Sequence, residues 1–386
     1  MIAKRALLAG AAMAVVVGLF GCASSDVGPA STGDAPESVL MGGLFAMSGP
    51  AAAYGDWFSK ASSLAVKHIN EAGGLNGKTK INFKIEDTQQ RPDPAVQALQ
   101  RLIGEDVRFV MSSSSIQTLA LLPIANQREI PMINGGAQSD LLNDASPFLF
   151  NTIPLLNKES EVLAQYLHDE SGFTKAAVIH TSDDGGVSAY ENFKRSYEKA
   201  GGEIVAVEGA EYQGTDYRSQ LTKLKSSGAD VLMIGAYGLD ANNIISQVRE
   251  IGWDVPLANT SWVAIADVLA NPAAEGLIHT VIPFNPSDEF IKQYTDEFGV
   301  APDNGFIGNY YDGVMVFAEA YEKASNGGTV DPDGKAIADA IREIKTFDSV
   351  YGSELVFDES GSVSRPISIA EIRGGQTIVT HENYGS

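Results

Sequence analysis

The chain has 386 residues, 44% hydrophobic and 20% charged, which is the composition of a globular protein of about two domains. Its 27 Lys and Arg against 49 Asp and Glu give a formal charge of −22, which argues against a nucleic-acid partner and against electrostatic docking on anionic lipid. With Cys22 as the only cysteine there is no internal disulfide and no cysteine-based metal site, and the 5 histidines lack zinc-helix spacing, so no metal or other cofactor is expected.

The first segment reads as an address. Lys4 and Arg5 precede an uncharged apolar run over 6–20, too short for a comfortable membrane span and suited to a signal-peptide core. The run ends Leu19-Phe20-Gly21-Cys22, which resembles a bacterial lipobox, with the cysteine as the lipid acceptor. This predicts a signal peptide over 1–21 and a lipidated, flexible Ala/Ser/Gly/Pro-rich tether over 22–37. The protein would then be extracytoplasmic, periplasmic or on the cell surface, and held to a membrane through Cys22.

Beyond the tether, strands and helices alternate. An apolar run over 40–47 reads as a buried strand, and 57–72 as a helix stopped by Gly73-Gly74. Strands follow at 81–86, 107–111 and 130–134, with helices at 94–103 and 116–127 between them. The pattern restarts after Asn157. Helices at 159–170, 189–200, 217–226 and 240–251 are interleaved with strands at 176–180, 203–207, 231–235 and 255–258. Repeated βαβ units imply parallel sheets covered by helices on both faces, hence an α/β fold of two doubly wound lobes. Ligands of such sheets bind beyond the carboxyl ends of the strands. The loops there are small and polar: SGPAAAYG at 48–55, SSSS at 112–115, GGAQS at 135–139, TSDDGG at 181–186, AYG at 236–238 and NTSW at 259–262. Hydroxyls and helix N-terminal N–H groups in such loops can receive a carboxylate or another acceptor.

At these loops the sequence resembles the periplasmic solute-binding proteins of ABC importers, of the leucine/isoleucine/valine-binding type and in lipoprotein form. The matching pieces are FAMSGPAAAYGD (45–56), INEAGGLNGK (69–78), SSSSIQTLALLP (112–123), IPMINGGAQSDLL (130–142), GTDYRSQLTKLKSSGADVLMIGAY (214–237), Tyr351-Gly352 and FDESG (357–361). The resemblance spans about Val39 to Val379. It implies a type I periplasmic binding protein, with two lobes joined by three crossings near Pro154, Phe284 and Tyr351 that close on a small ligand. The first lobe would comprise 38–154 plus 285–350, and the second 155–284 plus 351–386. The implied partners are a small molecule and the permease subunits of the importer, with the protein itself a monomer.

The resemblance also implies site positions. Tyr54 would line the cleft, Ser113 with its neighbour Ser114 would hold the ligand carboxylate, and Met111 would touch the ligand's apolar part. Ala137 would offer backbone groups, and Gln138 or Ser139 a further contact. Tyr237 would supply an aromatic of the second lobe. Two positions depart from the amino-acid binders. Gly185 stands where they place a tyrosine, and Ser261 where they place the glutamate that meets the ligand ammonium. Either Asp183 or Asp184 supplies that charge, or the ligand has no ammonium; the second is favoured because an unpaired buried ammonium is costly. Trp262 and Phe284 could then form flat apolar walls. Ser196 and Lys199 match S-x-x-K but lie mid-helix without companion motifs, and there is no G-x-S-x-G or P-loop, so no enzyme is expected. The function expected is capture and delivery of a small polar, carboxylate- or amide-bearing solute such as an amino acid. A ligand-sensing module of a signalling receptor and, further off, an enzyme on the same fold are the alternatives.

Overall fold

The first apolar run forms β1 (Ser38–Phe45), buried along most of its length because strands flank it on both edges. The computed structural model describes residues 35–384, so the signal segment, Cys22 and most of the tether lie outside the described residues. After β1 come α1 (Ala52–Glu71), β2 (Lys80–Asp87), α2 (Pro92–Gly104), β3 (Val107–Ser112), α3 (Ser115–Arg128), β4 (Met132–Asn134) and β5 (Leu149–Asn151). These strands make a wholly parallel sheet in the order β2-β1-β3-β4-β5. Gly55 lets α1 lie against the end of β1: a Cβ there would sit 2.0 Å from the Ala46 carbonyl oxygen.

The second lobe opens with α4 (Leu156–Gln165), which runs on as a π turn over Tyr166–Glu170. It continues through β6 (Lys175–Thr181), α5 (Asp184–Ala200), β7 (Glu203–Ala210), α6 (Arg218–Lys225), β8 (Val231–Gly235), α7 (Gly238–Glu250), β9 (Leu257–Asn259), α8 (Ala266–Leu269) and β10 (Ile278–Val281). The chain then returns to the first lobe as α9 (Asp288–Phe298), α10 (Gly305–Ala324) and α11 (Gly334–Ile344), followed by the small pair β11 (Thr346–Phe347) and β12 (Leu355–Val356). Finally β13 (Ser368–Arg373) and β14 (Gln376–His381) join the second sheet, giving the order β14-β13-β10-β9-β8-β6-β7. Among the described residues no helix is long and apolar enough to cross a membrane.

Both lobes have the expected parallel sheets. The second sheet also carries an antiparallel edge: β13 pairs antiparallel with β10, and β14 with β13. Gly374 and Gly375, at φ 57° and 77°, make the tight reversal that a hairpin requires. Tyr351 packs with Ile153, Ile282 and Phe284 near the other two expected crossings, and the chain after it continues in the first lobe. Leu355, Phe357 and Val363 pack in the first lobe's core with Phe150 and Phe347, and Ser362 bridges to Asn151 beside β5. Residues 351–363 thus stay with the first lobe, and the chain leaves it between Val363 and Ser368. The cause is a buried anchor on α10. The Asp312 carboxylate accepts from Ser349 Oγ at 2.6 Å and Val350 N at 3.0 Å, and pairs with Arg365 at 3.3 Å. The Arg365 guanidinium stacks on the Tyr351 ring at 3.7 Å, and the Tyr351 hydroxyl donates to Asn309 Oδ1 at 2.7 Å. Tyr351-Gly352 is therefore a turn pinned to α10, not a strap between lobes.

The second core contains a titratable group held neutral. His279 of β10 is fully buried, its Nδ1 lies 2.8 Å from the Thr280 carbonyl, and its Nε2 has no partner among the described residues. Burial pushes its pKa down to about 4. The folded state refuses a proton that the unfolded chain accepts below about pH 6.5. The stabilisation is thus complete above pH 6.5 and is lost as pH falls towards 4, amounting to about 3 kcal/mol. His279→Asn keeps an N–H donor and removes the titration. Denaturant unfolding at stepped pH should show a shallower loss of stability between pH 6.5 and 4 in this variant than in the parent.

Candidate functional site

Where the carboxyl ends of the two sheets face each other, the lobes enclose a cavity of about 40 Å3, enough for about three waters. The first lobe contributes Ala46, Ala51, Tyr54, Phe58, Gln90, Ser113, Ser114, Ser115, Gly136, Ala137, Gln138 and Phe306; the second contributes Gly185, Tyr237 and Trp262. No charged side chain is in this lining. Gly136 is needed for closeness: a Cβ there would meet the Ser113 carbonyl at 2.7 Å and the Tyr310 hydroxyl at 2.9 Å.

The lobes touch across the cleft. The Tyr54 hydroxyl donates to the Trp262 carbonyl at 3.2 Å and accepts from Gly238 N, at the start of α7, at 3.3 Å. Burial pushes the Tyr54 and Tyr237 hydroxyls up, so both stay protonated. Tyr237 donates to Asp183 Oδ2 at 2.6 Å and stands edge-on to Trp262, with ring centres 5.1 Å apart. On the first-lobe side, Phe58 stacks on Tyr310 at 4.0 Å, and Phe306 packs against both Tyr54 and Trp57.

At the polar end, α3 begins beside the cavity. Its N-cap, Ser114, makes no capping bond, and the buried Ser114 Oγ has no partner among the described residues. An uncapped helix N-terminus with a free hydroxyl suits a carboxylate or carbonyl oxygen. Ser113, the residue expected to hold the carboxylate, is occupied by the scaffold. Its Oγ donates to Leu44 O at 3.3 Å and accepts from Gln117 Nε2 at 2.7 Å.

Gln138 belongs to the first lobe, yet most of its side-chain partners lie beyond it. Trp262 Nε1 donates to its Oε1 at 2.5 Å, and its Nε2 donates to Pro154 O at 2.9 Å and to the fully buried Glu159 of α4. Glu159 also accepts from Ser261 N at 2.9 Å, Ser261 Oγ at 3.0 Å and Thr280 Oγ1. Four donors thus surround one buried carboxylate with no cation, in the first turns of α4, where the helix dipole also favours negative charge.

Of the sequence-predicted residues, Tyr54, Ser113, Ser114, Ala137, Gln138, Tyr237 and Trp262 come together at the cavity. The others lie elsewhere. Met111 is buried under Gly313 of α10. Ser139 Oγ accepts from Leu141 N at the start of a short turn. Asp183 stands behind Tyr237, also accepting from Thr181 Oγ1 at 2.6 Å and Gly185 N at 3.3 Å, and Asp184 is in the first turn of α5. Ser261 and Phe284 line a separate cavity of about 430 Å3 beside the crossings, and Ser261 bonds Glu159. Ala46, Ala51, Phe58, Gln90, Ser115, Gly136, Gly185 and Phe306 were missed. Ala51, Ser115, Gly136 and Gly185 stand in loops that the sequence singled out for their small, polar composition. Gln90 follows a strand whose loop looked featureless, and Phe306 arrives from the far part of the chain.

The model of the periplasmic binding protein family matches residues 38–376. The chain belongs to that family. It is 26% identical over 343 residues to the leucine-, isoleucine-, valine-, threonine- and alanine-binding protein of Pseudomonas aeruginosa, covering 87% of this chain and 90% of that one. It is likewise 26% identical to Leu/Ile/Val-binding protein homolog 3 of Brucella melitensis, covering 93% and 95%. In fold it is similar to the branched-chain amino acid substrate-binding protein LivJ of Streptococcus pneumoniae in complex with isoleucine, with a TM-score of 0.78, 24% identity and 89% and 99% coverage. A solute-binding protein from R. palustris in complex with benzoate gives a TM-score of 0.78 at 20% identity, covering 90% and 96%. As a periplasmic binding protein, the chain works outside the cytoplasm. Its two parallel-sheet lobes are those of the type I architecture.

Glu159→Gln replaces one acceptor of this periplasmic binding protein's buried cluster with an NH2 group facing donors. Urea unfolding should show it destabilised by roughly 2–4 kcal/mol. A variant as stable as the parent would show that the cluster is not held by the carboxylate.

Proposed function

We propose that this chain is the solute-binding lipoprotein of an ABC importer. A lipid on Cys22 tethers a monomer to the membrane, and the lobes close on a compact carboxylate- or amide-bearing solute without an ammonium group. The closed protein hands that solute to the permease, and no bond is made or broken.

The observation that carries the ligand class is the polarity of the cavity. One end has the uncapped start of α3 with Ser114, which favours a negative or carbonyl oxygen. No lining residue carries a negative charge to pair with an ammonium. The closest candidate carboxylate, Asp183, is engaged by Tyr237, Thr181 and Gly185, and Ser261 is engaged by Glu159. Burying an unpaired ammonium there costs several kcal/mol. Family membership supports transport. The relatives' ligands, branched-chain amino acids and benzoate, share a carboxylate and differ in the ammonium.

Thermal-shift measurements with paired probes test this. Acetate with acetamide, benzoate with benzamide, and leucine with its deaminated analogue 4-methylpentanoate span size and charge. A bound probe at 100 times its Kd stabilises by about 2.7 kcal/mol, several degrees in Tm. The expected result is stabilisation by at least one acid or amide, with 4-methylpentanoate at least equal to leucine. Stabilisation by leucine alone would overturn the ammonium-free reading.

A further inference from the structure

Most polar side chains around the cavity are already bonded to protein. Tyr54, Tyr237, Trp262 and Gln138 bond across or beside the cleft, and Ser113 bonds the strand behind it. Ser115 Oγ accepts from Ser139 N at 3.3 Å. Two remain. Ser114 Oγ has no partner, and Gln90, only 7% exposed, has an amide that makes no hydrogen bond among the described residues. A primary amide offers two donors and an acceptor, and here none of the three is taken by protein, so all are open to a ligand in the cavity that Gln90 lines.

The loop that holds Gln90 is fixed in an unfavourable shape. Gln89 and Gln90 both have left-handed backbones, at φ 52° and 55°, a conformation that costs about 1–2 kcal/mol for each such residue. Neighbours over-determine it. The Asp87 carboxylate accepts from Met47 N at 2.9 Å, Ser48 Oγ at 2.5 Å and Gln89 N at 2.9 Å, tying the loop to the turn after β1. Those bonds hold the Asp87 carboxyl below its ordinary range. Thr88 donates to Gln117 Oε1 at 2.7 Å, and Gln117 in turn bonds Ser113 and Leu44. The frame that occupies Ser113 therefore also presents Gln90.

Resting on the ligand class argued above, we infer that Gln90 is a specificity-determining residue whose side-chain amide pairs with the ligand's carboxylate or carboxamide head, opposite Ser114. The head is bracketed. Ser114 and the first turn of α3 donate to one oxygen; Gln90 donates to the second oxygen of an acid, or accepts from the NH2 of an amide. The remainder of the ligand lies among Phe58, Phe306 and Trp262. Because an amide side chain can donate or accept, this site takes both an acid and its amide, and a carboxylate at position 90 would separate them.

Two variants test this by calorimetry on the mature-length protein, with the acid–amide pair that binds best in the thermal-shift panel. Gln90→Leu should weaken both members about tenfold or more, while the ligand-free protein unfolds at the same or a higher temperature, since no protein hydrogen bond is lost. Gln90→Glu should weaken the acid far more than its amide, because a second carboxylate would face the first. Undiminished binding by Gln90→Leu, or a ligand-free protein clearly less stable than the parent, would overturn the assignment. So would equal losses of acid and amide in Gln90→Glu. A parent that binds none of the probes would overturn the ligand class itself, and with it this role for Gln90.

Discussion

The second-lobe side of the cleft is organised by one buried carboxylate. Glu159 is fully buried and forms no ion pair among the described residues, so its carboxylate depends on Gln138, Ser261 and Thr280, which all donate to it. Three of those donor groups belong to the second lobe. The fourth, from Gln138, comes across from the first. The same Gln138 amide receives the indole N–H of Trp262, so the aromatic wall of the cavity is set by the demand of a charge outside the cavity. Separating the lobes would take Gln138 from both partners at once. Gln138 thus ties the aromatic wall of the site to the contact between the lobes, beside the packing of Tyr54, Trp57 and Phe306.

The neutrality of the cavity follows from the same economy of partners. The chain is strongly acidic, yet three acids near the cleft are engaged: Asp87 by the loop beside β1, Asp183 by Tyr237 and the start of α5, and Glu159 by the interlobe cluster. What faces the enclosed space is aromatic rings, small side chains and a helix N-terminus. The overall charge of −22 describes the surface and says nothing of the site.

The alternation of apolar runs and helical faces made most strands and helices legible, because each pattern is local and its period is fixed by backbone geometry. β8 spans the residues expected for it, 231–235. The loops after β1, β3, β4, β8 and β9 could be picked out as the candidate site because small and hydroxyl residues cluster there. Within them, individual roles were not legible. Ser113 and Ser114 are alike in sequence, and only their neighbours decide which one is consumed: Gln117 and Leu44 take Ser113. Phe306 was invisible because it comes from α10, far along the chain, and Gln90 because its loop has no distinctive composition. The anchoring of the turn at Tyr351 was not legible for the same reason, since the Asp312–Arg365 pair that pins it joins residues 53 apart.

By itself, the sequence determined the class of the molecule: alternating elements, two sheets, ligand loops at strand ends, and a surface too acidic for nucleic acid. These depend on local periodicity and on summed charge, which need no coordinates. The tertiary structure decided which polar groups are spent and which are left for a ligand. A hydrogen bond is a pairwise fact about distance, and the pairs that matter here, Gln138 with Trp262, Glu159 with Ser261 and Gln117 with Thr88, are made only when the folded chain brings distant residues together.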